Sequence, residues 1–490
     1  MKKVLIILFL VFTGVLLGLK LNIKAENDKM YNYDYYNKVI AAAPAYYKAR
    51  EIFYYTFPLE ENENIDFIDI KFYKDYIYVL KQKSILKLDK DYKFLSKYYI
   101  NRPDIDFQSF DIKNDIIYIA NKEYLIITEL KDDLSTLIVD YNFPGSKNII
   151  KLDENSNVPG LKKDGFRPQI VKVDDVGHIY LKIENIGEGI VEIDRNANFK
   201  KFVGTNKVEI SAIEAFWRKL SNTKSSTKTY IPIQFSSFAV DSSGFVYATN
   251  KATGSKPIQK FNYKGENILV ENGNTKVVGD IINGQVISNF IDIDVNDYGL
   301  YVGLNDATPK TVDGVDVPVN KKMFVYNDSG QLLYVVGKYN ETSNLSLNDP
   351  TKVRWHNNSL VVLDNGKQKT NRIIEFKPTK YGEQINKASE LYYKGKLQEA
   401  KVIWEEILKL NTNNDLAYVG IGKINYQEKK YSEAMQQFKL GNNRIYYSKA
   451  YAKVRNQNLR KVFPWVVGGV VVSAVGVKGF TIWKKKKQEN

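Results

Sequence analysis

The sequence predicts a mainly β protein with a small helical domain and one membrane-spanning helix near its C-terminus. Three patterns carry the prediction: a strand motif that recurs six times, a switch to a 34-residue helical period from Tyr381, and an apolar run over 462–483. The clearest strand unit is 169–199, QIVKVDDVGHIYLKIENIGEGIVEIDRNANF. It reads as an alternating strand at 170–173, a tight turn at 174–177, a second strand at 179–183, a hairpin, and a third strand at 190–193. Short antiparallel strands at this spacing make one blade of a β-propeller.

The two ends set the expected topology. Residues 1–25 hold two N-terminal lysines, an apolar run and Ala25 before a polar stretch, the layout of a signal peptide; Ile23 is a poor cleavage-site partner, so an N-terminal anchor stays open. The run 462–483 is long enough to cross a bilayer, carries Trp465 and Trp483 near its ends, and stops at the lysines of the tail 484–490. By the positive-inside rule, Lys2 and Lys3 begin in the cytoplasm and the tail ends there, which leaves the bulk of the chain outside. Residues 26–51 read as a linker.

Between those ends the strand motif marks the blades. Its second strand, an aliphatic then an aromatic residue, appears as Ile77-Tyr78, Ile117-Tyr118, Ile179-Tyr180, Val246-Tyr247, Leu300-Tyr301 and, with valine for tyrosine, Leu360-Val361. First strands precede each pair and third strands follow, so six blades are expected over 52–377. The last blade lacks a fourth strand, and an open sheet edge invites aggregation. The segment 52–57, IFYYTF, has strand character and is expected to close the ring. An insertion at 205–234 holds Ser211 and Glu214 in capping-box spacing with Ile213, Trp217 and Leu220 on one face, an amphipathic helix. Loops at 273–285 and 305–320 are long and polar. The pattern, with turns such as DSSG at Asp241 and Gly244, resembles the NHL-type six-bladed propellers.

From Tyr381, Ala388, Ala400 and Trp404 are matched 34 residues later by Gly422, Ala434 and Phe438. That period, with small residues where helices touch and an aromatic on the second helix, is the tetratricopeptide signature. Two repeats and a capping helix fill 381–461. In tetratricopeptide domains the first helix of each repeat lines the concave wall; by repeat phase the resemblance implies Ser389, Tyr392, Tyr393, Lys423, Tyr426 and Gln427 as partner-binding positions. The lysine–asparagine set with which some relatives clamp a C-terminal carboxylate is missing.

Composition excludes several classes. With no cysteine among 490 residues there are no disulfides, thiolate nucleophiles or cysteine-held metals. The basic surplus of 15 falls to 7 once a net 4 at each end is set aside, too dilute for a nucleic-acid footprint. His178 and His356, the only histidines, sit in strand turns without a nucleophile or metal motif. No catalytic set, metal or cofactor is expected. The enzymatic alternative is a resemblance to sugar-lactone hydrolases, which hold a divalent cation at the channel mouth; Asp66, Asp69, Asp292 and Asp294 are first-strand acids that alternation allows to face the channel. A saccharide- or wall-polymer-binding propeller is the third reading. The sequence thus favours a membrane-anchored extracytoplasmic binding or scaffold protein whose partner is a protein, such as a transporter subunit or other membrane protein.

Overall fold

The computed structural model describes residues 30–33, 38–100, 105–130, 149–153, 156–204, 234–250, 256–271, 274–275, 279–282, 285–286, 288–306, 310–312, 315–317, 321–337, 347–366 and 370–488. The apolar run 1–25 and the expected insertion helix 211–220 lie outside these residues. The chain forms two compact units, one of Met1–Tyr33 with Val39–Tyr393 and one of Asp34–Lys38 with Lys394–Asn490.

The first unit is a six-bladed β-propeller. Its inner strands are Asp69–Tyr73, Phe107–Lys113, Pro168–Val173, Phe235–Val240, Phe290–Val295 and Pro350–His356. They pack against one another in chain order, and the sixth returns against the first to close the ring. Each belongs to an antiparallel sheet of four strands, three among the described residues of the fourth blade. The aliphatic–aromatic pairs fall on the second strands, where Tyr118, Tyr247 and Tyr301 are fully buried. Tyr247 and Tyr301 meet between the fourth and fifth blades at 5.1 Å, so the recurring aromatic fills the wedge between blades.

Closure comes from the N-terminal side, but of 52–57 only Ile52 and Phe53 take part. The strand that completes the last blade is Tyr46–Phe53, paired antiparallel with Arg372–Pro378 from Tyr46 opposite Pro378 to Phe53 opposite Arg372. Its partner ends there. The Tyr54 N–H still donates to the Asn371 carbonyl at 3.0 Å, after which Tyr54–Thr56 makes one 3₁₀ turn that delivers Phe57 edge-on to Phe67. The stretch 26–51 is accordingly no simple linker. Met30–Tyr33 pairs with Val39–Ala42 as a hairpin, and Tyr31 and Tyr33 both donate to the Asp280 carboxylate, at 2.7 and 2.6 Å, beside Lys322 at 2.8 Å. Short hairpins also occupy the described parts of 273–285 and 305–320.

Helix α1 (Lys380–Tyr393) belongs with the ring rather than with the helices after it. Tyr334 donates to the Asn386 amide oxygen at 2.6 Å while the Asn386 amide nitrogen donates to Tyr46 at 2.9 Å. Gly382 lies so close to the Ala45 carbonyl that a Cβ would come within 2.1 Å of its oxygen, which is why a glycine stands there.

The second unit holds α2 (Leu397–Leu410), α3 (Asp415–Gln427), α4 (Tyr431–Leu440) and α5 (Arg444–Gln488), each packed on the next. Small residues meet aromatic ones: Gly420 lies under the Trp404 indole and Gly422 under the Phe438 ring, with a Cβ at either predicted within 2.7 Å of the aromatic atoms. The turn between α3 and α4 places Lys429 at φ 63°, and the position 34 residues earlier, Gly395, has φ 73°, so the repeat extends to backbone conformation. Asn414 caps α3, its side chain accepting from the Ala417 N–H at 2.9 Å. The expected capping helix and the apolar run are one helix of 45 residues, continuous through Pro464. Its apolar stretch is the one candidate membrane span among the described residues.

Candidate functional site

Alternation along the six inner strands points every second side chain at the ring axis. Five of these strands begin with a β-bulge, after Phe107, Pro168, Phe235, Phe290 and Pro350, which brings the following residues into common register. Two layers result. One carries Asp69, Ser109, Ser237, Asp292 and Lys352, and the next carries Lys71, Asp111, Lys172, Ala239, Asp294 and Arg354.

Charges pair both within and between the layers. The Arg354 guanidinium donates to Asp69 through one nitrogen and to Asp292 through the other, the latter at 2.6 Å, tying the sixth blade to the first and fifth. Lys71 pairs with Asp111 at 2.6 Å, Lys352 stands 3.5 Å from Asp292, and Lys172 reaches toward Asp69 at 3.8 Å. The carboxylates also take backbone donors from the next blade: Val173 N–H donates to Asp111 at 2.9 Å, Val353 N–H to Asp292 at 2.9 Å and Trp355 N–H to Asp294 at 2.8 Å. Ser237 donates to Asp292 at 2.6 Å. A buried charge persists only when paired and hydrogen-bonded, and here each carboxylate clips adjacent blades together.

The electrostatics follow. Burial pushes the Asp69 carboxyl up, but Arg354, Lys172 and Lys352 more than offset it and hold it well below the usual range. Asp292 is held down in the same way by Arg354 and Lys352 against burial, and Asp111 by Lys71 and Lys172. Asp294 goes the other way: burial outweighs the attraction of Arg354 and its carboxyl is raised. Burial lowers Lys172, and the nearby Arg354 adds to this against Asp69.

At the end of the axis where first strands turn into second strands, these residues open into a polar cavity of about 260 Å³, lined by Lys71, Lys113, Lys172, Asp294, Arg354 and Trp355 among others. The adjoining turns are built alike. Asp174, Asp241 and Asn296 each accept, through one side-chain oxygen, the N–H groups two and four residues on. The second carboxylate oxygen of Asp174 receives the Tyr180 hydroxyl at 3.2 Å and that of Asp241 receives Tyr247 at 3.2 Å. Asn296 has no second oxygen, and the Tyr301 hydroxyl is buried with no partner.

Of the four acids singled out in the sequence, Asp69, Asp292 and Asp294 face the axis. Asp66 does not; it accepts from the Asn371 amide at 2.7 Å at the junction of the first and last blades. No sequence pattern links Arg354, Lys71, Lys172 and Lys352 to a shared axis, because their partners lie on other blades. A hard cation needs carboxylate oxygens turned toward it. Asp69 and Asp292 are instead committed to Arg354, and no group of three or more metal-ligating side chains occurs among the described residues. The histidines are structural: His178 Nδ1 sits 2.8 Å from Asp174, and His356 stacks on Phe72 at 4.0 Å, its pKa lowered by burial.

The six positions assigned to a helical concave wall divide by exposure. Tyr393 and Gln427 are exposed, and Tyr392 and Tyr426 half-buried. Ser389 and Lys423 are each only 8% exposed, and the Lys423 ammonium lies 5.0 Å over the Tyr446 ring. Neither is an open surface position: Tyr446 of α5, the second helix after α3, lies over Lys423.

No protein-family model and no curated protein matches the chain. Among solved structures it is similar to the extracellular domain of a putative hybrid two-component system from B. thetaiotaomicron, at 10% identity over 71% of this chain with a TM-score of 0.38. It spans 38% of the length of that protein. It is also similar to the WD40 domain of Neurospora crassa Pan2 (10% identity, 69% of this chain and 97% of that one, TM-score 0.36) and to a putative gluconolactonase (9%, 72% and 98%, 0.38). At such identities and scores these likenesses concern architecture and carry nothing about activity.

Proposed function

We propose that this chain is a membrane-anchored binding or assembly protein, with its folded units outside the cytoplasm and the tail 484–490 inside. The observation that carries the reading is the continuity of α5, which packs on α4 at its start and runs on as the apolar stretch, with no linker between. A helical unit tied so directly to a span is placed to hold a neighbouring membrane protein, such as a transporter subunit. We read the ring as NHL-type and the 34-residue correspondences as tetratricopeptide repeats, both folds that serve as interaction scaffolds.

In the helical unit the docking positions are Tyr426 and Gln427, whose aromatic and amide groups suit a peptide segment or a partner's loop; Tyr392 and Tyr393, on α1 of the ring unit, are proposed as partner contacts of that unit. The lactone-hydrolase reading loses its motive, since two of the axial acids, Asp69 and Asp292, are engaged by Arg354 and Lys352. For a saccharide, the cavity offers two aromatic residues, Phe72 and Trp355, and Phe72 is already stacked beneath His356. The test is affinity purification from mildly solubilised membranes, comparing the intact chain with a Tyr393→Ala, Tyr426→Ala, Gln427→Ala variant. A membrane protein recovered with the first and lost from the second supports the proposal. Equal recovery with both, or recovery of no membrane protein, refutes it.

A further inference from the structure

From Ala434 to Gln488 the sequence contains no aspartate or glutamate. Over the same stretch α5 carries Arg444, Lys449, Lys453, Arg455, Arg460 and Lys461 before its apolar part begins at Val462. Lys453, Arg455, Arg460 and Lys461 are exposed, and none of the four has an ion-pair partner among the described residues. Because the helix is unbroken, their distance from the apolar boundary is fixed by the helical rise. At about 1.5 Å per residue, Arg460 and Lys461 stand at the boundary and Arg455 about 10 Å above it. The Debye length at physiological ionic strength is about 8 Å, so Arg460 and Lys461 lie within it, and Arg455 and Lys453, about 10 and 14 Å out, lie at the edge of the surface field.

We infer that this basic collar binds the phosphate headgroups of anionic phospholipids in the leaflet entered at Val462. The inference rests on α5 being a span. Six basic residues before the apolar stretch face four lysines at 484–487 after it, so the flanks of this helix do not by themselves favour the orientation proposed above. Cations retained on a flank that must be translocated call for a counter-charge there, and the bilayer surface is the nearest source. Arginine suits this role through its bidentate match to phosphate, and lysine adds charge. Nonpolar Leu459, Val462 and Phe463 are exposed between and below the cations, as expected of a helix face that sinks into a headgroup layer. Each lysine or arginine held near an anionic surface contributes about fivefold in partition.

The experiment uses the full chain, purified in detergent and offered equal amounts of phosphatidylglycerol and phosphatidylcholine, with bound lipids counted by native mass spectrometry. The intact chain is expected to retain phosphatidylglycerol in excess, and a Lys453→Gln, Arg455→Gln, Arg460→Gln, Lys461→Gln variant to lose at least about tenfold of that preference. A Lys484→Gln, Lys485→Gln, Lys487→Gln variant is expected to keep most of it. An unchanged preference in the first variant, or its loss in the second alone, overturns the inference. So does displacement of the lipid by a soluble polyphosphate that binds the collar more tightly, which would name an acidic polymer instead. Alkaline carbonate extraction separates the two ideas. A chain retained in membranes without lipid preference keeps the span and loses the collar; one released yet still selective loses the span and keeps the collar.

Discussion

Along the ring axis, Arg354 joins Asp69 and Asp292, which lie 285 and 62 residues away in sequence. Between α3 and α4, Gly422 instead lies under the face of Phe438, a neighbour 16 positions along the chain, with no polar atom in the contact. The axis is therefore tied by charges that compensate only as a set, within a ring that strand pairing and the apolar cluster between the last and first blades already close. The helical unit is held by local shape, which each residue supports almost alone. That difference fixes where binding can evolve: the axis is occupied by the protein's own ion pairs, whereas the helical unit can change its exposed residues without touching its packing.

Arg354→Met leaves Asp69 and Asp292 buried without their counter-charge and is expected to cost the ring about 3–5 kcal/mol, read by calorimetry of the solubilised chain. Adding Asp69→Leu and Asp292→Leu to it should restore most of the loss, because removal of a whole buried network is far less costly than removal of one partner. If the single and triple variants are equally damaged, the axis is held by packing and the contrast disappears. Phe438→Ala is expected to cost a similar 3–5 kcal/mol, confined to the helical unit. A simultaneous fall of the ring transition would show that the two units do not unfold separately.

The ring should also be the acid-sensitive part. Asp69, Asp111 and Asp292 have folded pKa values depressed below the unfolded value of about 3.9, so their contribution is present above that pH and lost as pH falls through the folded values. Asp294, raised by burial, has the opposite sign and costs stability once pH exceeds its unfolded value. Asp294→Asn, which keeps an oxygen for the Trp355 N–H, is therefore expected to leave the ring as stable or more stable at neutral pH, while Asp292→Asn destabilises it. Urea titrations at pH 3 to 7 would distinguish them. A lower midpoint for Asp294→Asn at neutral pH would mean that its charge is needed on the axis.

Much of this was legible before the structure. The aliphatic–aromatic second strands announced six blades because the inter-blade wedge repeats with the chain. The 34-residue spacing announced the helices because their contacts are local. What stayed hidden depends on partners chosen in space. IFYYTF has the composition of a strand, yet pairing ends at Phe53 because Arg372–Pro378 ends opposite it. The axial acids were visible as candidates, but alternation alone does not tell a metal ligand from one arm of an ion pair. Lys423 looked like a groove residue until α5 laid Tyr446 across it.

The smallest expected effect reads out a single atom. Tyr247→Phe removes a hydroxyl that donates to Asp241 and should cost about 1 kcal/mol, whereas Tyr301→Phe removes one without a partner and should be neutral or stabilising. Equal costs would place a water or other acceptor beside Tyr301.

The claim on which the rest depends is that both units stand outside the membrane with the basic tail inside, and the lack of any cysteine makes it directly measurable. A Val176→Cys variant places a thiol at an exposed ring turn, 76% accessible, and a Gln488→Cys variant places one at the end of α5. Treated on intact cells with a membrane-impermeant maleimide, Val176→Cys should label at once and Gln488→Cys only after permeabilisation. Labelling of Gln488→Cys on intact cells, with Val176→Cys protected, would turn the chain around and contradict the account.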